Sequence, residues 1–144
     1  MGKVTITKEF SFEMAHVLTG SIGKCSNIHG HSYRLSVTVT GKIIKNKNHP
    51  SRGMIINFSE LKKIVSKAVV DEFDHALVID KSSGISAELI KHNFKTITVS
   101  YQPTCENLVL EFAKKIKRAL PSTIFLVRLK LRETPTSIAE WTNT

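Results

Sequence analysis

The strongest constraint on the fold of this chain is a strict alternation of apolar and polar residues near its amino terminus. The alternating apolar positions are Val4, Ile6, Phe10, Phe12 and Met14 in one segment, and Tyr33, Leu35, Val37 and Val39 in another. A period of two residues is typical of a β-strand with one buried face. The two segments are therefore predicted to be neighbouring strands of one sheet.

Two helices and a last strand are predicted further along the chain. Asn57 is a predicted N-cap with Glu60 in capping-box position, and apolar residues at helical spacing continue to Phe73. Thr104 is the predicted N-cap of a second helix that ends at Pro121. The segment TITVS is a candidate short strand. The final segment, IFLVRLKLRE, alternates again, with an inward set of Phe125, Val127, Leu129 and Leu131.

This order of elements predicts an α+β fold, with an antiparallel four-stranded sheet and two helices on one face. The 144 residues, 41% of them hydrophobic, suit a single domain over 1–144. Unpaired sheet edges predict edge-to-edge oligomerisation.

The sequence has neither an apolar run of about 20 residues nor a signal-peptide core, so a cytoplasmic protein is expected. No disulfide between Cys25 and Cys105 is expected there.

The formal net charge of +9 raises the prospect of an anionic partner, either nucleic acid or a phosphorylated small molecule. The lysines are scattered along both predicted helices, which favours solvated helix faces as the explanation.

Three histidines continue the apolar faces of the first two strands. His29 and His31 share the odd positions of one strand, and His16 shares the even positions of the other. If the strands pair, all three gather at one end of one sheet face. Imidazole suits zinc, copper, iron or nickel, and three histidines with an open position are typical of catalytic zinc. A structural site with Cys25 as fourth ligand stays open.

Four further polar residues are candidates for the same site. Glu133 continues the inward positions of the last strand, where a carboxylate either reaches solvent or anchors a planar ligand with adjacent N–H donors. Asp74 and His75 follow the first helix and could relay protons, or simply form a favourable helix end. Glu106 lies in the first turn of the second helix, where the helix dipole alone would favour an acid.

Six motifs then resemble one known family. FSFEMAH, CSNIHGHSY, INFSELKK, FDHAL, PTCEN and RETPTS occur in the order found in the 6-pyruvoyl-tetrahydropterin synthase superfamily. The spacing Cys-x3-His-Gly-His resembles the bacterial branch that makes 6-carboxy-5,6,7,8-tetrahydropterin for queuosine. The mammalian-type pyruvoyl enzyme has two more residues between the cysteine and the first histidine.

The resemblance implies a tunnelling fold, whose subunits join their sheets into trimeric β-barrels that commonly stack as a homohexamer. It implies Zn²⁺ on three histidines, Cys25 as catalytic base, and a proton relay through Asp74 and His75 from a neighbouring subunit. Glu133 would hold the pyrimidine edge of the pterin. The remaining implied residues are Thr104 and Glu106 near the pterin, and Lys24, Arg34 and Arg52 as candidates to attract a triphosphate.

The implied activity is that of a lyase. It would convert 7,8-dihydroneopterin triphosphate to 6-carboxy-5,6,7,8-tetrahydropterin, acetaldehyde and triphosphate. The chain departs from the family pattern at Asn57, at Val78–Ile79 and in the longer segment Lys81–Tyr101. Three alternatives stay open: a pyruvoyl-forming synthase, a pterin binder without turnover, and a basic nucleic-acid-binding module with a structural metal.

Overall fold

A six-stranded sheet is the centre of the computed structural model, which describes residues 2–20 and 23–144, without the side chains of Lys24, Cys25 and Ser86. Its strands are β1 (Thr5–His16), β2 (His29–Gly41), β3 (Ala76–Asp80), β4 (Thr96–Val99), β5 (Ile124–Thr134) and β6 (Ser137–Thr142). They lie in the order β4-β3-β1-β2-β5-β6. The pairs β1–β2, β2–β5 and β5–β6 are antiparallel, whereas β3 is parallel to both β1 and β4.

The α+β class is confirmed, but the predicted count of four strands is wrong. The segment after His75 forms β3, and the predicted TITVS strand forms β4 beside it. The strand β6 was missed because its alternation is shallow: Ile138 is exposed, and Ala139 and Trp141 are only half-buried. The two edges of the sheet in the described chain are therefore β4 and β6.

The helices confirm both predicted N-caps. Helix α1 begins with Phe58–Val65, continues as a π-helical segment Ser66–Val70 and ends with Asp71–Phe73. Its N-cap Asn57 accepts a hydrogen bond from the Ser59 backbone N–H at 2.8 Å. The other helices are α2 (Ser86–Lys91) and α3 (Cys105–Ala119), with short 3₁₀ helices at Gly23–Ser26 and Lys81–Ser83. No helix in the described ranges is both long and apolar enough to cross a membrane.

The core lies between α1, α3 and one face of the sheet. Burial of apolar surface on this face is the main stabilising contribution. The residues that are fully buried there include Leu35, Val37, Leu61, Val65, Leu108, Phe112, Ile116, Leu129 and Leu131. The polar alternate positions of β1 and β2 lie on the opposite face, so the predicted faces of these two strands are confirmed.

The inward set predicted for the last strand is half wrong. A β-bulge lies at Val127, because Thr38 pairs with Arg128 and the next β2 residue already pairs with Leu126. The extra residue reverses the sheet face to which each earlier residue of β5 points. As a result Leu126 is 3% exposed and Phe125 is 58% exposed.

Candidate metal centre and active site

The three histidines meet where β1 and β2 reach their common end. His16 pairs with His29 in the antiparallel register, and Met14 pairs with His31. Residues that face each other in this way project from the same side of a sheet. The ligating nitrogens of the three rings lie within 4.8 Å of one another, so the predicted cluster is confirmed.

Two backbone carbonyls fix the orientation of two of these rings. The Nδ1 of His16 lies 2.7 Å from the Pro103 carbonyl, and the Nδ1 of His29 lies 2.8 Å from the Asn27 carbonyl. A carbonyl oxygen only accepts, so each Nδ1 carries the proton and each neutral ring has its lone pair on Nε2. Those two Nε2 atoms are 3.0 Å apart. Two facing lone pairs at this distance repel each other, and either a bound metal ion or a shared proton between them would relieve the repulsion.

Burial favours the neutral form of two of the rings, those of His16 and His31. His16 is 1% exposed, and burial lowers its pKa, although the hydrogen bond to Pro103 opposes this. Burial also lowers the pKa of His31. A neutral imidazole with a free Nε2 is the form that binds a metal ion. In metal sites a ligating histidine usually donates its other ring N–H to a carbonyl or carboxylate, as His16 and His29 do here.

The donor set fits a divalent transition metal with an open position. Three imidazole nitrogens suit zinc and its neighbours, and three protein ligands leave a place for a further oxygen. His29 and His31 are half-buried, so the cluster is open on one side. A cation at this point would be held by β1 and β2 and reached from the end of the sheet.

Glu133 lies beside the cluster rather than in solvent. Its Oε1 is 3.7 Å from Nε2 of His16 and 3.8 Å from Nε2 of His31. The buried Tyr33 hydroxyl donates a long hydrogen bond of 3.4 Å to the same oxygen. Burial raises the pKa of Tyr33, so it stays a donor. Tyr33 was predicted as a buried strand residue but not as part of the site, although it shares the odd positions of His29 and His31.

Asp74 and His75 form a joined pair at the turn between α1 and β3. His75 has a positive φ of 59°, and its Nδ1 lies 3.0 Å from Asp74 Oδ1. The same carboxylate oxygen accepts the Glu13 backbone N–H at 2.9 Å, which lowers the pKa of Asp74. The left-handed backbone at His75 turns its ring back toward the carboxylate of the preceding residue.

Lys95 supports this turn and was not found from the sequence. Its Nζ donates to the carbonyls of Asp71 at 3.0 Å and Asp74 at 2.7 Å, which are at the end of α1. Lys95 also lines a cavity of about 560 Å³ together with His75 and His31. Of the histidine cluster, the lining of this cavity includes His31.

The remaining site candidates are placed less directly. Thr104 follows Pro103 and caps α3, so its hydroxyl already accepts from the Asn107 backbone N–H. Glu106 is exposed in the first turn of α3. The side chain of Cys25 lies outside the described residues. Cys105 is buried and donates to the Leu131 carbonyl, and burial raises its pKa to about 11, which indicates a packing role.

Comparison with known proteins decides the family. The model of the 6-pyruvoyl tetrahydropterin synthase family matches residues 5–144. The chain belongs to this family. It is 41% identical to the 6-carboxy-5,6,7,8-tetrahydropterin synthase of Haemophilus influenzae, over 94% of this chain and 96% of that protein. It is 28% identical to the 6-pyruvoyl tetrahydrobiopterin synthase of Pongo abelii, over 92% and 87%.

The family fold is also seen in solved structures. The 6-pyruvoyl tetrahydropterin synthase of Caenorhabditis elegans superposes with a TM-score of 0.70 at 28% identity, over 100% of this chain and 98% of that chain. An uncharacterized protein from Wolinella succinogenes superposes with a TM-score of 0.81 at 19% identity, over 100% of each chain. The tunnelling-fold expectation is confirmed for the subunit of this family member.

Proposed function

We propose that this chain is a single-domain 6-carboxy-5,6,7,8-tetrahydropterin synthase. It takes 7,8-dihydroneopterin triphosphate and water to 6-carboxy-5,6,7,8-tetrahydropterin, acetaldehyde and triphosphate. The 41% identity to the Haemophilus influenzae enzyme over nearly the whole chain supports this substrate and product. The convergence of His16, His29 and His31 on one point is the observation that carries the assignment to a metal-dependent lyase.

The resident metal in this proposal is zinc, held by Nε2 of the three histidines. Bound zinc lowers the pKa of a hydroxyl that reaches it and stabilises developing negative charge. The Pro103 and Asn27 carbonyls keep the ligand nitrogens aimed at the ion. The 1% exposure of His16 keeps bulk water away from the inner side of the site.

Glu133 would bind the pterin ring through its carboxylate. Two adjacent N–H donors on the pyrimidine edge match the two oxygens of a carboxylate. The Tyr33 hydroxyl contacts Oε1 of Glu133. Within the described ranges, Oε2 has no hydrogen-bond partner. Oε2 is therefore available to the substrate, with Thr104 and Glu106 contributing from the start of α3.

Proton transfer is assigned to Cys25, Asp74 and His75. Cys25 is the base, and Asp74 holds the Nδ1–H of His75 so that Nε2 is free to exchange protons. The low pKa of Asp74 keeps this carboxylate ionised at neutral pH. Assembly into a trimer or a homohexamer through the edges β4 and β6 would bring the Asp74–His75 pair to the cluster of a neighbouring subunit.

The decisive experiment is product analysis by mass spectrometry after zinc-loaded protein is incubated with 7,8-dihydroneopterin triphosphate. We expect 6-carboxytetrahydropterin and acetaldehyde. The Cys25→Ala variant should retain zinc and lose turnover, whereas the matched control Cys105→Ala should retain both. Absence of turnover in the wild-type protein with zinc bound would contradict the proposal.

The same incubation tests the nearest alternative. A 6-pyruvoyl-tetrahydropterin synthase would release triphosphate and keep all three side-chain carbons, which the 28% identity to the Pongo abelii enzyme makes worth measuring. A nucleic-acid-binding module would instead show salt-sensitive binding of RNA or DNA that survives Cys25→Ala.

A further inference from the structure

The turn that carries Asp74 and His75 begins where the hydrogen-bond pattern of α1 ends. In a continuing helix the His75 backbone N–H would donate to the Asp71 carbonyl. It donates instead to the Glu13 carbonyl, at 2.6 Å. The Asp71 carbonyl therefore loses its helical donor, as the last carbonyls of a helix do, and is open to another one.

Lys95, which directly precedes β4, provides that donor. Its Nζ donates to the Asp71 carbonyl at 3.0 Å and to the Asp74 carbonyl at 2.7 Å. An ammonium group is favourable at this end of a helix, where the backbone dipoles carry partial negative charge. The Lys95 backbone is fixed as well, because its carbonyl accepts the Leu77 N–H at 2.9 Å. The side chain therefore reaches the turn from a fixed point beside β3.

The peptide group between Asp74 and His75 is held on both sides. Its carbonyl accepts from Lys95, and its N–H donates to the Glu13 carbonyl. A peptide group is planar, so two hydrogen bonds in opposite directions fix its rotation. This rotation determines ψ of Asp74, which is 128°, and φ of His75, which is 59°. Lys95 thus acts on the two torsion angles that place the His75 ring.

The position of the His75 ring depends strongly on these torsion angles. The side chain is 75% exposed, so little packing restrains it. A positive φ is uncommon for a non-glycine residue and persists only where the surroundings hold it. Without the hydrogen bond from Lys95, the peptide group is free to rotate toward a more ordinary φ. The ring would then leave Asp74 Oδ1, from which its Nδ1 is 3.0 Å away.

We propose that Lys95 is a positioning residue for His75. Its ammonium group holds the Asp74 carbonyl, the held peptide group keeps His75 in the left-handed conformation, and this conformation keeps His75 Nδ1 at the Asp74 carboxylate. The inference rests on the proposed function and deepens it, because His75 is a proton-transfer group of the proposed lyase. Lys95 acts within the subunit that carries His75, whichever subunit's metal cluster that histidine serves.

The first test compares the steady-state kinetics of zinc-loaded Lys95→Met and wild-type protein. Methionine keeps the length of the side chain and removes its donors. Because a small misplacement of a catalytic group is costly, kcat should fall by about 10- to 100-fold and KM should be unchanged. Lys95→Arg keeps the charge and the donors and should recover most of kcat. Lys91→Met is the matched control, since Lys91 is exposed in α2 and does not line the cavity beside His75, and its kcat should equal that of the wild type.

A double-mutant cycle separates positioning from a direct contact with the substrate. Lys95 and His75 line the same cavity of about 560 Å³, so a direct contact is the alternative. If Lys95 acts through His75, Lys95→Met should have no further effect on kcat in a His75→Ala background. Losses that multiply in the double variant would contradict the inference.

Hydrogen–deuterium exchange measures how firmly the turn is held. In Lys95→Met the amides of Asp74 and His75, which donate to the Val70 and Glu13 carbonyls, should exchange faster. Exchange in β2 and the melting temperature should be unchanged, because Lys95 is exposed and its hydrogen bonds contribute little to global stability. The metal content should equal that of the wild type.

A wild-type kcat in Lys95→Met would overturn the inference, and so would unchanged exchange at the turn. A lowered melting temperature with loss of metal in Lys95→Met, but not in Lys91→Met, would also overturn it, because Lys95 would then have a general structural role. These outcomes are distinct from a failure of the proposed function. That failure would appear as missing product with the wild-type protein, whereas the exchange measurement needs no turnover.

Discussion

The Nε2 atom of His16 lies 3.0 Å from the Nε2 atom of His29, and each ring is held by a carbonyl at its other nitrogen. Both facing atoms are therefore hydrogen-bond acceptors in the neutral rings. The Glu133 carboxylate adds a third acceptor 3.7 Å from the first. Positive charge at the centre of these acceptors would stabilise the arrangement, which leads to the first prediction.

Removal of the metal should destabilise the protein. Binding of an ion at one hundred times its Kd stabilises the folded state by about 2.7 kcal/mol. We expect chelation to lower the melting temperature and zinc to restore it. His16→Ala should reduce the metal content, measured by mass spectrometry, to background. His49→Ala, in an exposed loop, is the control that should keep one metal per chain. Full metal content in His16→Ala would rule out the histidine centre.

The Asp74 carboxylate should contribute a pH-dependent part of the stability. Its pKa is lowered in the folded state, mainly by the Glu13 backbone N–H. Its contribution is therefore present above the unfolded-state pKa and is lost as the pH falls through the folded-state pKa. Because the side chain is 39% exposed, we expect less than about 1 kcal/mol.

Urea unfolding of wild type and Asp74→Asn checks this expectation. The wild type should be the more stable protein at pH 7, and the difference should disappear at strongly acidic pH. A difference that stays constant over that range would mean that the charge of Asp74 plays no part.

Cys105 should be unreactive in the native protein. Its thiol is 8% exposed, donates to the Leu131 carbonyl and has a pKa raised to about 11. Thiolate is the nucleophilic form, so alkylation at pH 8 should be slow. In Cys25→Ala protein, iodoacetamide should leave Cys105 unmodified until denaturant is added, as followed by intact-mass spectrometry. Rapid modification without denaturant would contradict this burial.

Two glycines in β2 should respond differently to alanine. A Cβ on Gly41 would lie 2.9 Å from the Thr123 carbonyl oxygen and 3.0 Å from Ile55 Cγ2. Such overpacking costs about 1–3 kcal/mol. A Cβ on Gly30 would lie 3.5 Å from the Met14 carbonyl oxygen and 4.0 Å from Ala15 Cβ, which are ordinary contacts. Gly41→Ala should therefore lower the melting temperature, and Gly30→Ala should fold and retain its metal.

Calorimetry and metal analysis of the two variants provide the comparison. Gly30 lines the cavity of about 560 Å³ beside His31, so its alanine variant should raise KM although it folds normally. Equal melting temperatures for the two variants would show that β2 shifts easily at Gly41, against the tight packing found there.

Much of the site could be predicted because its signals are local. His29 and His31 share one face of β2 whatever the strand pairs with, since the side-chain period of a strand is two. The N-caps Asn57 and Thr104 were likewise predicted from neighbouring residues alone. The apolar context of Glu133 indicated that its carboxylate needs a partner.

The errors arose where a single residue changes the backbone. The bulge at Val127 leaves no mark in an alternating sequence, yet it moves Phe125 to the surface and Leu126 into the core. The positive φ of His75 likewise leaves no mark in the sequence. It creates the contact with Asp74 that a regular backbone would prevent.

The sequence alone determined which side chains share a face and where the helices begin, because periodicity and capping depend on residues a few positions apart. Only the tertiary structure decided that His16 lies opposite His29, that Pro103, 87 residues away, orients its ring, and that Arg34 meets Arg132. Strand register and contacts between distant segments are set by packing of the whole core, and no local sequence pattern predicts that packing.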